Sequence, residues 1–274
     1  MKQINMHHDN LFSLTQYISM ARPIWRAKSS QDNVNPPKMD WDLNAGYDKA
    51  LELAKTGWHD GTERMATALE KLPQIASAPK RTYSVAGSRP SAPRFAAGSI
   101  RHMIRNTPNE GAKPIVKVCV AVSANAFVNA ENMANYGLAI ARYIQEMESS
   151  GRRCEVIAAM SINMDESDTR ICHSWTVKKA SEPMSIADMA FSIGHPACFR
   201  RLGFALVERT NVREQMGYGI SGNTLESDLP SDDYIILNGM SKANRIAKDY
   251  ESALAYVRTA INEALGIEPE TELA

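Results

Sequence analysis

Two apolar runs flanking one long helical stretch constrain this chain more than any other feature. Ile115-Val116-Lys117-Val118-Cys119-Val120-Ala121-Val122 is rich in β-branched residues and is bounded by Pro114 and Ser123-Ala124-Asn125. Glu155-Val156-Ile157-Ala158-Ala159-Met160-Ser161-Ile162 repeats the pattern. Short apolar runs of this kind read as buried central strands. Between them, residues 131–150 set Met133, Tyr136, Gly137, Ile140, Ala141, Ile144 and Met147 at helical spacing, with Gly151 as the stop. A helix between two such strands implies a right-handed crossover and parallel pairing. The expected fold class is α/β, with a three-layer architecture around a mostly parallel sheet.

The rest of the C-terminal part, residues 113–274, fits that plan. Residues 170–179 alternate Ile171, His173, Trp175 and Val177, which predicts a half-exposed edge strand. Residues 165–169 are short enough to make a hairpin, so this strand runs antiparallel to its predecessor. Helices are expected at 185–191 and 196–210, followed by a Gly- and Ser-rich loop at 217–231. Tyr234-Ile235-Ile236-Leu237 reads as another buried strand. A final helix over 244–265 carries Ile246, Tyr250, Ala253, Leu254, Val257 and Ile261 on one stripe.

Residues 1–73 read as a helical N-terminal extension. One helix spans 10–27, with Leu11, Leu14, Ile18 and Ala21 on a face and Pro23 near its end. A loop over 29–38 precedes a helix capped by Asp40, running through Leu43, Tyr47, Ala50, Leu51 and Ala54 and closed by Gly57. Trp58-His59-Asp60-Gly61 reads as a turn. A further helix from Thr62 carries Met65, Leu69 and Leu72 and stops at Pro73. Residues 74–112 are a Gly/Pro/Ser-rich connector with little periodicity, either a mobile arm or a long connection laid over the core.

Apolar residues make up 44% of the chain and charged residues 23%, ordinary values for a globular protein. The formal net charge is zero, so any attraction to nucleic acid has to be local. No run of apolar residues is long enough to predict a membrane span. Met1 to Asn10, which holds His7, His8 and Asp9, lacks the charged start and apolar block of a secretory signal. Cys119, Cys154, Cys172 and Cys198 are too widely spaced for a metal knuckle and read as buried free thiols of a reducing compartment, the cytoplasm.

The order strand, long helix, strand, antiparallel strand, helices, strand, helix resembles a von Willebrand factor A domain over residues 113–266. In that family one strand ends in Asp-x-Ser-x-Ser and a later one in Asp-Gly, and these side chains hold a divalent cation. Here the matching positions are Ala121, Ser123 and Asn125, then Leu237-Asn238-Gly239, so both acids are missing. Three neutral groups hold such an ion poorly, so no metal is expected. Ser123, Asn125 and Asn238 are left as a degenerate strand-end crevice, which caps strand ends or offers a contact surface to protein or anion. Val85-Ala86-Gly87, then Gly98, a strand, and a helix leading to Glu148-x-x-Gly151 is similar to a poorly characterised family of tailed-bacteriophage proteins. That resemblance implies a viral protein in the host cytoplasm and brings no catalytic residues.

His173 and His195 have no nucleophile signature beside them and read as structural or solvated groups. Asp165, Glu166 and Asp168 form an acidic hairpin tip, normally a solvated turn. Gly217-Tyr218-Gly219-Ile220-Ser221-Gly222 does not directly follow a strand and open a helix, so it is no dinucleotide loop. The most informative feature is the connector. Lys80, Arg81, Arg89, Arg94, Arg101 and Arg105 lie there without a single Asp or Glu, interleaved with Tyr83 and Phe95. Cations beside stacking aromatics grip single strands without reading sequence. The competing reading pairs these cations with Glu52, Glu63 and Glu70. The expectation is a non-catalytic, cofactor-free accessory protein binding nucleic acid, single-stranded DNA in particular, in viral transcription or replication beside a phage or host polymerase or ATPase. The alternative is a metal-independent protein–protein adaptor using the strand-end crevice.

Overall fold

The computed structural model of the chain describes residues 2–21, 41–70, 80–107, 115–164, 167–210, 212 and 220–267. In chain order these form β1 (Lys2–His8), α1 (Leu11–Met20), α2 (Gly46–Thr56), α3 (His59–Glu70), β2 (Lys80–Ser84), β3 (Arg89–Pro90), α4 (Ala92–Ala96) and β4 (Met103–Thr107). Next come β5 (Ile115–Ala121), α5 (Ala130–Ser149), β6 (Arg153–Met164), β7 (Thr169–Lys178) and α6 (Ile186–Met189). Two π-helical stretches, Ala190–Gly194 and Cys198–Gly203, lead to α7 (Phe204–Val207). The chain then forms β8 (Ile220–Ser221), β9 (Ile235–Leu237), α8 (Ala243–Ile246) and α9 (Tyr250–Leu265).

The main sheet has the order β1-β7-β6-β5-β9, with β8 added to the end of β6. As expected, β5 runs parallel to β6 and to β9, and β7 returns antiparallel along β6. The sheet is mostly parallel. One expectation fails at its edge. Lys2–His8 pairs with β7 in parallel, Ile4 opposite Ile171 and His8 opposite Trp175, so β7 is interior and the chain begins with a strand rather than a helical extension. A polar edge strand is held by main-chain hydrogen bonds and buries little, which is why Lys-Gln-Ile-Asn-Met-His-His shows no apolar run.

The layers also differ from expectation. Val116, Val118 and Val120 of β5, Val156, Ala158 and Met160 of β6, and Ile171 and Trp175 of β7 face one large core. The buried residues of α1, α2, α5, the π-helical stretches, α7 and α9 all join that same core. The opposite face buries only a small cluster of Cys119, Ile157, Ala159, Cys172 and Tyr234, flanked by Leu229 and Ile236. Among the described residues the fold is therefore helices on one face and a loop on the other, not three layers of regular structure. No helix among the described residues is long and apolar enough to cross a membrane. All four cysteines are buried free thiols.

Several boundaries move for local reasons. Leu43 and Asn44 have left-handed φ values of 55°, so α2 begins only at Gly46, while Asp40 lies outside the described residues. Gly57 does close α2, at φ 84°, its N–H reaching Leu53 O at 2.8 Å. Gly61, expected in a turn, sits inside α3, where glycine is required because a Cβ would meet the Trp58 indole at 2.0 Å. The final helix is split: Ala247 leaves helical geometry, and Asp249 caps a fresh start by accepting from Ser252 N at 2.8 Å. Leu72, Pro73 and Pro23 lie outside the described residues.

The π-helical stretch before His195 crosses α5 backbone to backbone. A Cβ on Gly137 would lie 2.7 Å from both Gly194 Cα and Ile193 O, atoms that cannot turn aside. Gly137→Ala is expected to destabilise the protein by about 1–3 kcal/mol despite the better helix propensity of alanine. The check is a urea titration, with a lower midpoint at unchanged slope.

Candidate nucleic-acid interface

Residues 80–107 are neither an arm nor a structureless connection. β2, β4 and β3 form a three-stranded antiparallel sheet, with α4 inserted between β3 and β4. Two glycines make it possible. Gly87 brings the turn after β2 so close to β4 that a Cβ would lie 2.3 Å from Ile104 O, the atom that also accepts from Ser88 N at 2.9 Å. Gly98, at φ 68°, ends α4, its N–H reaching Phe95 O at 3.0 Å.

The register sorts the basic residues onto two faces. Tyr83 pairs with Ile104, which pairs with Arg89, so these three share a face, and position 81 lies in the same row. Thr82 pairs with Arg105 and position 80 with 107, on the reverse face. Arg94, from α4, sets its guanidinium 3.8 Å from the centre of the Tyr83 ring. Phe95 beside it is 66% exposed and meets the His102 ring edge-on, centroids 5.1 Å apart. His102 is turned by donating from Nδ1 to Ser99 O at 2.8 Å. Tyr83 and Arg89 thus share a face, with Arg94 over the Tyr83 ring, while Phe95 follows Arg94 in α4 against His102, Arg105 lies on the reverse face, and Arg101 sits exposed before β4. The side chains of Lys80 and Arg81 lie outside what is described.

Two further facts bear on this surface. None of residues 83–105 is buried, and Val85, Phe95 and Ile100 face water. Among the described residues Arg89, Arg94 and Arg101 form no ion pair. Of the acids that could have neutralised them, Glu52 is engaged by Lys49 at 2.8 Å and Glu63 by His59 at 3.3 Å, and the Glu70 side chain is not described.

The strand-end crevice is a different kind of place. Ser123 is buried and exchanges hydrogen bonds with the Ser161 backbone, accepting from N at 2.7 Å and donating to O at 2.9 Å. Asn238 clamps Thr224, accepting from its N at 2.8 Å and donating to its O at 3.0 Å. Ser161 Oγ and Thr224 Oγ1, 3.1 Å apart, join the two. Asn125 is exposed and takes no part with them, its carbonyl being held by Arg200. The interior is filled by Arg170 and Asp228. Arg170 donates from Nε to Asp228 Oδ1 at 2.8 Å, from Nη2 to Oδ2 at 2.5 Å, from Nη1 to Asn163 Oδ1 at 2.8 Å, and to Asn223 O. Asp228 also accepts from Leu225 N, Ser161 Oγ and Gln3 Nε2. Burial alone would push its carboxyl up, but the bonds from Arg170, Leu225 and Ser161 outweigh that and hold it below the ordinary carboxylate range. Sequence reading found Ser123 and Asn238 but missed this pair. The one available signal was an arginine inside the otherwise apolar alternation of β7.

His173 is fully buried, with Nδ1 3.5 Å from His8 Nε2 and no partner for its Nε2. Burial, reinforced by His8, lowers its pKa to about 3, and burial lowers that of His8 to about 4. His195 is buried under the edge of Trp58, accepts from Ala197 N at 3.1 Å, and is lowered by burial to about 4. These are neutral core histidines. Asp165, Glu166 and Gly217–Gly219 lie outside the described residues, and Gly222 packs against Arg170. A groove of about 760 Å³ between α3, α5 and α9 carries Arg64, Arg142 and Arg258, which pair with Glu131 and Glu146. Among the described residues no three His, Cys, Asp or Glu side chains gather to hold a metal.

A family profile described as "Domain of unknown function (DUF7192)" matches residues 3–268, and so takes in the main sheet and the small one together. No curated protein and no solved structure matches the chain.

Removing one partner of a buried ion pair strands the other. Asp228→Asn is expected to cost about 3–5 kcal/mol, and the double replacement Arg170→Met with Asp228→Leu to recover much of that, both read from urea midpoints. The Asp228 contribution is complete above about pH 4 and is lost as pH falls further, because the folded carboxyl binds its proton less readily than the unfolded one. The histidines act at higher pH. Below about pH 6.5 the unfolded chain protonates them and the folded chain does not, so stability falls by up to about 1.4 kcal/mol per pH unit for each. His173→Gln is expected to make the fall in stability between about pH 6 and pH 4.5 shallower by one such increment.

Proposed function

For this chain, which belongs to the DUF7192 family, we propose that the small sheet binds single-stranded nucleic acid, DNA in particular. The carrying observation is the surface of Tyr83, Arg89, Arg94 and Phe95: aromatics interleaved with guanidiniums, without a carboxylate in the segment. The Arg94 guanidinium already sits 3.8 Å over the Tyr83 ring, where a stacked base would lie, and Phe95 is 66% exposed. The cations meet phosphates, and sequence is not read.

In this reading the protein is a non-catalytic accessory factor of a tailed bacteriophage, working in the host cytoplasm in viral transcription or replication beside a phage or host polymerase or ATPase. The order β7-β6-β5-β9 with β7 antiparallel to β6 supports a von Willebrand factor A-like core, and β1 beyond β7 is an addition to that order. The packing of α1, α2, α5, α7 and α9 on one and the same face departs from that pattern. An adaptor role through the strand-end crevice has less support, because Arg170 and Asp228 fill it.

The test is fluorescence anisotropy with labelled oligothymidylate, oligouridylate and a duplex, across salt. Arg89→Ala with Arg94→Ala is expected to lower the log–log salt slope by about 1.4, roughly 0.7 per lost phosphate contact on a single strand. Phe95→Ala is expected to weaken binding by about 1–3 kcal/mol at every salt concentration. Absence of binding at low salt, or variants that bind like the parent, would sink the proposal.

A further inference from the structure

Phe127 is 82% exposed at the tip of the loop that leaves β5. That loop is fixed from two sides. From below, Arg200, only 1% exposed, donates from Nη2 to the carbonyls of Asn125 at 2.9 Å, Ala126 at 3.4 Å and Val128 at 2.8 Å. From the side, Asn244 donates from Nδ2 to Phe127 O at 2.9 Å, and its Oδ1 accepts from Asn129 N at 2.8 Å and Asn132 Nδ2 at 3.1 Å. Every carbonyl from 125 to 128 is held by a side chain. The arrangement is expensive: the guanidinium is buried against carbonyls, its Nε has no partner, and burial lowers its pKa to about 10. Stability alone would favour turning the ring inward. The fold instead fixes the backbone that carries a phenyl ring in water, and pre-organisation of the loop favours binding.

The same segment supplies charge. Asn244 lies between Lys242 and Arg245, and Lys248 follows at the break before α9. All three cations are exposed, and none forms an ion pair among the described residues. Of the nearby acids, Asp249 caps α9 through Ser252 and Glu131 pairs with Arg64, which leaves Glu251, in the first turn of α9, against three cations.

We infer that Phe127, with Lys242, Arg245 and Lys248, forms a second contact for single-stranded nucleic acid, separate from the small sheet. The ring is a stacking platform for one base, and the cations meet the adjacent phosphates. The inference takes its ligand class from the proposed function but rests on different residues, so the two can fail independently.

The experiment uses the full chain and labelled oligothymidylate, with urea midpoints recorded for each variant. Phe127→Ala is expected to keep the parental midpoint, since the ring is exposed, and to bind roughly ten-fold more weakly. Phe127→Trp is expected to restore affinity and to show tryptophan quenching when oligonucleotide is added. Lys242→Ala with Arg245→Ala and Lys248→Ala is expected to lower the salt slope by about 2. Parental affinity and slope in the Phe127→Ala and triple variants, with no quenching in Phe127→Trp, would overturn the inference and leave Phe127 to a protein pocket. If the Arg89/Arg94 variant alone loses binding, the small-sheet reading survives and this one falls. If only the Phe127 and Lys242/Arg245/Lys248 variants lose it, the reverse holds. No binding by the parent at low salt removes both.

Discussion

The buried pair of Arg170 and Asp228 closes a face of the sheet that no helix covers. The buried apolar residues of α1, α2, α5, α7 and α9 that form the large core pack on the other face, so residues 222–234 seal the open one as loop with one short 3-10 turn, Glu226–Asp228. A loop laid over a sheet brings unpaired backbone groups with it, and each needs a partner. Asn238 satisfies both backbone groups of Thr224, Arg170 takes the Asn223 carbonyl, and Gln3 and Asn5 of the edge strand reach Ser227 O. Asp228 anchors the far end through Arg170. The strand side chains beneath are Cys119, Ile157, Ala159 and Cys172, with Ser161 beside them. On the helical face the same strands carry valine, methionine and tryptophan.

That asymmetry explains which parts of the fold were legible. β5, α5, β6 and β7, with their directions, followed from periodicity alone. The missing third layer did not, because Cys119, Ile157 and Ala159 are as apolar by type as the valines between them. The N-terminal strand was invisible for a related reason: its stability lies in main-chain bonds to β7, which leave no mark on residue type. The crevice was half legible. Ser123 and Asn238 lie where strand ends predicted them, but Arg170 and Asp228 meet across a loop whose path no local pattern specifies.

The basic segment shows the opposite balance. Its charge and aromatics were plain in the sequence, and its architecture was not, since β3 has two residues and none of residues 83–105 is buried. What organises it is backbone geometry at Gly87 and Gly98, together with the guanidinium of Arg94 on Tyr83. Only part of the charge converges as a result. Pairing register, a property of backbone spacing, decides which cations share a face with the rings.

The second π-helical stretch has one more consequence. Its wider turn sends two successive arginines to distant parts of the chain: Arg200 to the Trp41 carbonyl and the loop after β5, Arg201 to the buried carboxylate of Asp42. Arg209, just beyond, takes the carbonyls of Ile18 and Ala21. The first quarter of the chain is therefore keyed into the same short segment that positions the strand-end loop. A fragment lacking the N-terminal residues would lose an edge strand, and Arg200, Arg201 and Arg209 would each lose an acceptor that the N-terminal residues supply. The two parts are joined at buried charge, concentrated between residues 200 and 209.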